Sequence, residues 1–104
     1  MQSEYSRFFD ECNERWSNNP NDRLRFIRQI QNSANKLLVE QGYVYLNDIY
    51  ELLGIPKTKA GQVVGWNINN LNGDGYVRIS ILSNIRGSMV LDFNVDGVIT
   101  NKES

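Results

Sequence analysis

The sequence predicts an α+β domain in which two or three N-terminal helices pack on a small C-terminal antiparallel sheet, ordered as a meander. Three observations lead there. Apolar residues from Leu24 to Leu38 recur in helical steps, whereas from Val63 onward short runs alternate in the period of a strand. The change of period falls near Ile55-Pro56 and a polar loop, which divides a helical part over about 3–54 from a β part over about 62–100. A chain of 104 residues has the length of one domain, so both parts are expected to share one core.

Taken in order, Tyr5, Phe8, Phe9, Cys12 and Trp16 are spaced by threes and fours, which predicts an amphipathic helix from Ser3 to about Trp16 with Cys12 buried as an inert thiol. Ser17-Asn18-Asn19-Pro20-Asn21-Asp22 gathers turn formers, and Pro20 suits the first turn of a following helix. That second helix carries Leu24, Ile27, Ile30, Ala34, Leu37 and Leu38 to Gln41, where Gly42 supplies a left-handed stop. Gly42 to Leu46 reads as an extended connector, and Asn47 as the cap of a short helix bearing Ile49, Leu52 and Leu53 that Gly54 ends. In the β part, Val63 to Trp66, Tyr76 to Ile81 and Met89 to Val95 read as strands. Asp96-Gly97 reads as a turn, and Val98 to Thr100 as a returning edge strand.

Composition narrows the functional classes. Eleven basic and twelve acidic residues give a net charge of -1, so no global field attracts nucleic acid or an acidic membrane surface. One cysteine and no histidine exclude an internal disulfide, a Cys/His zinc site and an imidazole base. The opening Met-Gln-Ser-Glu-Tyr-Ser-Arg is polar and lacks the apolar run of a signal peptide, so the expected location is the cytoplasm, or a particle assembled there.

The run Gly42-Tyr43-Val44-Tyr45-Leu46-Asn47-Asp48-Ile49-Tyr50-Glu51-Leu52-Leu53-Gly54-Ile55, with Gly61-Gln62-Val63-Val64-Gly65-Trp66 and Leu91-Asp92-Phe93-Asn94-Val95-Asp96-Gly97, resembles a domain of unknown function found in phages and prophages of Gram-positive bacteria. The resemblance covers nearly the whole chain. It implies a shared fold and a viral origin, and carries no activity or catalytic residue. The same positions have structural readings: Gly42 and Gly54 as helix stops, and Gly65 where a strand passes close to another backbone.

Asp92 to Glu103 resembles a calcium-binding EF-hand loop. Asp92, Asn94, Asp96, Val98 (through its carbonyl) and Glu103 stand at the ligand places and Gly97 at the bend. An EF-hand loop lies between helices, whereas Met89 to Val95 reads as a strand, so a plain β-turn at Asp96-Gly97 is the preferred reading. Asn70 to Gly75 repeats the spacing, like the start of a dockerin loop, but its twelfth position is Ile81, and a glycine-rich hairpin loop accounts for it. Arg23, Arg25, Arg28 and Lys36 are interleaved with Asp22 and Glu40 in the manner of a solvated face. Asp48 with Glu51 is a close carboxylate pair of which one member reads as a cap-region charge, and no nucleophile, base or metal cluster converges on it.

The expectation is therefore a non-enzymatic phage or prophage protein with no cofactor that acts by protein–protein binding, either in the virion or on a host protein. Tyr43, Tyr45, Tyr50, Trp66 and Tyr76 are the interface candidates. The partner is a host or phage protein or a second copy of the chain joined at an exposed edge such as Val98 to Thr100. The alternative is a ligand-binding protein: a calcium module through Asp92 to Glu103, or a viral sponge for a host nucleotide signal held by the basic helix residues.

Overall fold

A computed structural model describes residues 3–85 and 87–99. Its fold is α+β, with two α-helices and two three-stranded antiparallel sheets. The elements are β1 (Arg7–Asp10), α1 (Pro20–Gln41), β2 (Tyr43–Tyr45), α2 (Leu46–Leu53), β3 (Val64–Asn67), β4 (Ile79–Ile85), β5 (Ser88–Phe93) and β6 (Gly97–Val98). A 3₁₀ turn, Ala60–Gln62, precedes β3. No helix among the described residues is long and apolar enough to cross a membrane.

The N-terminal segment departs from its expected helix. Arg7–Asp10 is a strand paired with β5, Phe8 opposite Val90 and Phe9 opposite Met89. Tight turns flank it, with Asp10 accepting from the Cys12 N–H and Asn13 from the Arg15 N–H, the local side-chain bonds that compete with a helix. Two adjacent phenylalanines satisfy a helical stripe and a strand alternation equally well over four residues, and pairing with β5 decides between them. Cys12 consequently lies exposed on a turn and is not buried.

The second predicted helix forms as read. Asn19 caps it through bonds from the Asn21 and Asp22 N–H groups, Pro20 opens its first turn, and Gly42 at φ 87° closes it. Ile27, Ile30, Ala34 and Leu38 form its buried stripe. The short helix α2 begins one residue before the expected cap. Tyr45 is its N-cap, and the Asp48 carboxylate accepts the Tyr45 N–H. Asn47 is instead buried, clamping the loop before the 3₁₀ turn by donating to the Thr58 C=O and accepting from its N–H.

The β part is two sheets and not one meander. The orders are β1-β5-β4 and β2-β3-β6. Tyr43–Tyr45, expected as a connector, is a strand, and Gly97–Val98 pairs with β3 where a return onto β5 was expected. Gly65 permits the crowding in the second sheet, because a Cβ there would stand 2.0 Å from the Val44 carbonyl oxygen. β4 starts later than expected and runs on to Ile85, with a shift of register between Ile81 and Ser83.

One core joins both sheets to both helices. Phe9, Met89, Leu91 and Phe93 meet Ile27, Leu38, Ile49, Tyr50 and Leu53, with Trp66 and Val44 from the second sheet. Helix α1 is also tied to the start of β4 and to the segment just before it by side-chain amides. Asn35 donates to the Val77 C=O at 2.9 Å and accepts from its N–H at 2.7 Å, and Gln31 accepts from the Ile79 N–H at 2.8 Å.

Candidate functional site

Both faces of the β1-β5-β4 sheet are built by alternation. In β5, Met89, Leu91 and Phe93 turn to the core, which sends Ser88, Val90 and Asp92 to the opposite face. Phe9 of β1 joins the core and Phe8 joins the other face. There Phe8 is 68% exposed, lies directly opposite Val90, and Val90 lies opposite Ser83, next to the 43%-exposed Leu82. The result is a row of apolar side chains on three adjacent strands, an arrangement that can desolvate against a complementary apolar surface.

Neither Phe8 nor Leu82 stands out in the sequence, because Phe8 fits the stripe of a helix and Leu82 falls just beyond the alternation of Tyr76 to Ile81. Two signals were available. Arg7-Phe8-Phe9-Asp10 is an apolar pair framed by charges between turn formers, and Ile81-Leu82 places two apolar residues side by side, as a bulge does.

The tyrosine and tryptophan candidates separate. Tyr50 and Trp66 are core residues and cannot present an interface. The Tyr50 hydroxyl donates to the Tyr5 carbonyl and its ring meets Phe93 edge-on; burial pushes its pKa up. The Trp66 indole N–H donates to Asn94. Tyr43, 45% exposed, and Tyr45 lie on one face of β2 with ring centroids 5.6 Å apart. Tyr76 is also exposed, but it packs against the Arg78 guanidinium.

The oxygens of the calcium-like string are engaged with protein donors. Asp92 accepts from the Ser3 N–H at 3.0 Å, from the Ser3 hydroxyl and from the Phe93 N–H. Burial alone would raise its pKa, but these bonds outweigh that and hold the carboxyl below its usual range. Asn94 Oδ1 accepts from Trp66 and from the Arg78 N–H, while its amide donates to Asp74 and to the Tyr76 carbonyl. Asp96 accepts from the Asn67 N–H, and Val98 belongs to β6. Glu103 lies outside the described residues. No group of three or more His, Cys, Asp or Glu among the described residues is arranged to hold a metal. The dockerin-like segment meets this string through Asp74 and Asn94, so the two segments buttress each other.

The basic residues act singly. Arg23 sits over the Trp16 ring at 4.3 Å and donates to the Ser17 carbonyl, and Arg25 pairs with Asp22. Arg28 borders a groove between α1 and β4. Asp48 caps α2, in line with the cap-region reading of one member of that carboxylate pair, while Glu51 pairs with Lys57.

No curated protein and no solved structure matches the chain. A family of unknown function, DUF6353, matches residues 1–102, nearly the full length, and the chain belongs to that family.

Proposed function

We propose that this chain is a non-enzymatic phage or prophage protein acting by protein–protein binding, as a component of the virion or as an accessory factor directed at a host protein. The observation that supports binding is the uncovered apolar row Phe8–Val90–Leu82. Core residues of this sheet are packed by both helices on the other face, yet Phe8 stands 68% exposed on a paired strand where a polar residue would serve solubility better. Rigid aromatic side chains on paired strands make good anchors, because little conformational freedom is lost when they are covered. The viral context rests on the resemblance of the Gly42 to Ile55 run and its companions, and a protein of that context would act in the host cytoplasm or in the particle.

The test is a benzophenone-bearing amino acid installed at position 8, with position 33 as control, since Ser33 is exposed on α1. Irradiation of infected or lysogenic cells is expected to give a discrete adduct from position 8 and none from position 33. Identical adducts from both positions, or none from position 8, would overturn the reading.

A further inference from the structure

The outer edge of β4 is sealed only in part, and the sealing follows a regular geometry. Asn35 pairs with both backbone groups of Val77, and Gln31, one helical turn earlier, accepts from the Ile79 N–H. A helix rises about 1.5 Å per residue and a strand about 3.3 Å, so each turn of α1 advances alongside roughly two residues of β4. The next seal, for Ile81, falls one turn further back, at Ile27 or Arg28. Ile27 has no polar atom to offer, and a guanidinium has donors but no acceptor. The row of side-chain amides therefore stops one step short of Ile81.

At that step α1 and β4 leave a groove of about 220 Å³ lined by Leu24, Ile27, Arg28, Gln31, Ile79 and Ile81. Leu24 and Ile81 are 40% and 38% exposed at its mouth, and Arg28 has no ion-pair partner among the described residues. A strand edge that no side-chain amide of the described residues seals at Ile81, beside an apolar groove and a helix, is the geometry in which an extended peptide adds to a sheet.

We propose that the β4 edge at Ile81 accepts an extended segment of a partner protein as an added strand, with an apolar side chain in the groove and a carboxylate against Arg28. This rests on the protein-binding reading above and names its partner's chemistry. Side chains of an added strand alternate, so those facing away from the groove reach Leu82 and extend the Phe8–Val90 row. The register shift between Ile81 and Ser83 keeps the pairing short, which disfavours a second copy laid edge to edge along β4. Affinity must then come from the groove and from the ion pair.

The experiment is an NMR titration of the ¹⁵N-labelled protein with an end-blocked peptide of the repeat Val-Ala-Asp-Ala, which puts valine and aspartate on one face of an extended strand, and with the counterpart that carries lysine in place of aspartate. The aspartate peptide is expected to shift the amide signals of Ile79 and Ile81 and to bind about tenfold more tightly than the lysine peptide. Arg28→Glu is expected to invert that preference, a charge swap that loss of structure cannot imitate. Equal shifts from both peptides in the wild type and in Arg28→Glu would overturn the proposal, as would concentration-dependent shifts at Ile81 without peptide, which would mean self-pairing. Shifts confined to Phe8 and Val90 would overturn edge pairing while leaving the binding role intact. Absence of shifts at Ile81, together with absence of a position 8 adduct, would remove both.

Discussion

Replacing Asn35 with alanine removes three hydrogen bonds at once: one to the Gln31 carbonyl within α1, and the pair to the N–H and C=O of Val77. The first matters little, since that carbonyl keeps its helical role. The other two leave Val77, a fully buried residue, with both backbone groups unmatched. Each buried polar group left unpaired costs about 1–3 kcal/mol, while alanine returns roughly 0.6 kcal/mol of helix propensity. With some water reaching the strand edge, the net loss is about 1–4 kcal/mol, or a fall in melting temperature of at least about 4 °C for a domain of this size. Urea unfolding followed by fluorescence of the buried Trp66 measures it directly. A loss below about 0.5 kcal/mol at an unchanged denaturant slope would refute the view that side-chain amides seal this edge.

Four further outcomes follow from the geometry. Gly65→Ala forces a Cβ to within 2.0 Å of the Val44 carbonyl oxygen, so thermal unfolding is expected to show a loss of about 3 kcal/mol or more, or no folded protein; a mild effect would mean that β2 and β3 separate easily. Asp92 has a depressed folded pKa, so its stabilisation is present above the unfolded carboxyl value of 3.8 and is lost as pH falls through the folded value. The stability gap between wild type and Asp92→Asn is therefore expected to close on acidification below about pH 4, and a gap that widens would contradict the bonding described. Excess calcium followed by chelator is expected to leave the melting temperature unchanged; a rise abolished in Asp92→Ala would make Asp92 a ligand. Phe8→Ser is expected to change stability by no more than about 0.5 kcal/mol in urea, because the ring is mostly in solvent.

Some of the fold could be read from the chain because local chemistry and tertiary context agree there. The helix from Pro20 to Gln41 has a capping asparagine, a first-turn proline, an apolar stripe and a glycine stop, all pointing the same way. Gly65 was legible for a similar reason, since only a close backbone approach makes glycine useful within a strand. The N-terminal strand was not legible. Phe8 and Phe9 fit both periods, and the partner that decides, β5, lies some eighty residues further along the chain. Sheet order was hidden by the same distance. The turn at Asp96-Gly97 was visible, but nothing local indicates that the strand after it joins β3. The site suffered most, for Tyr50 and Trp66 are aromatics of interface type whose polar atoms happen to find partners inside the core, at the Tyr5 carbonyl and at Asn94. Phe8 is the reverse case, an apolar residue that alternation turns outward.

The most direct test of the binding role is calorimetric titration of the partner captured through position 8, using the wild type and Phe8→Ser. The expected result is saturable binding by the wild type and a loss of about 10- to 100-fold in affinity for Phe8→Ser, the range of an aromatic anchor removed from an interface. Equal affinity for both proteins, or a loss produced by Tyr43→Ala and not by Phe8→Ser, would contradict the assignment of binding to the β1-β5-β4 face.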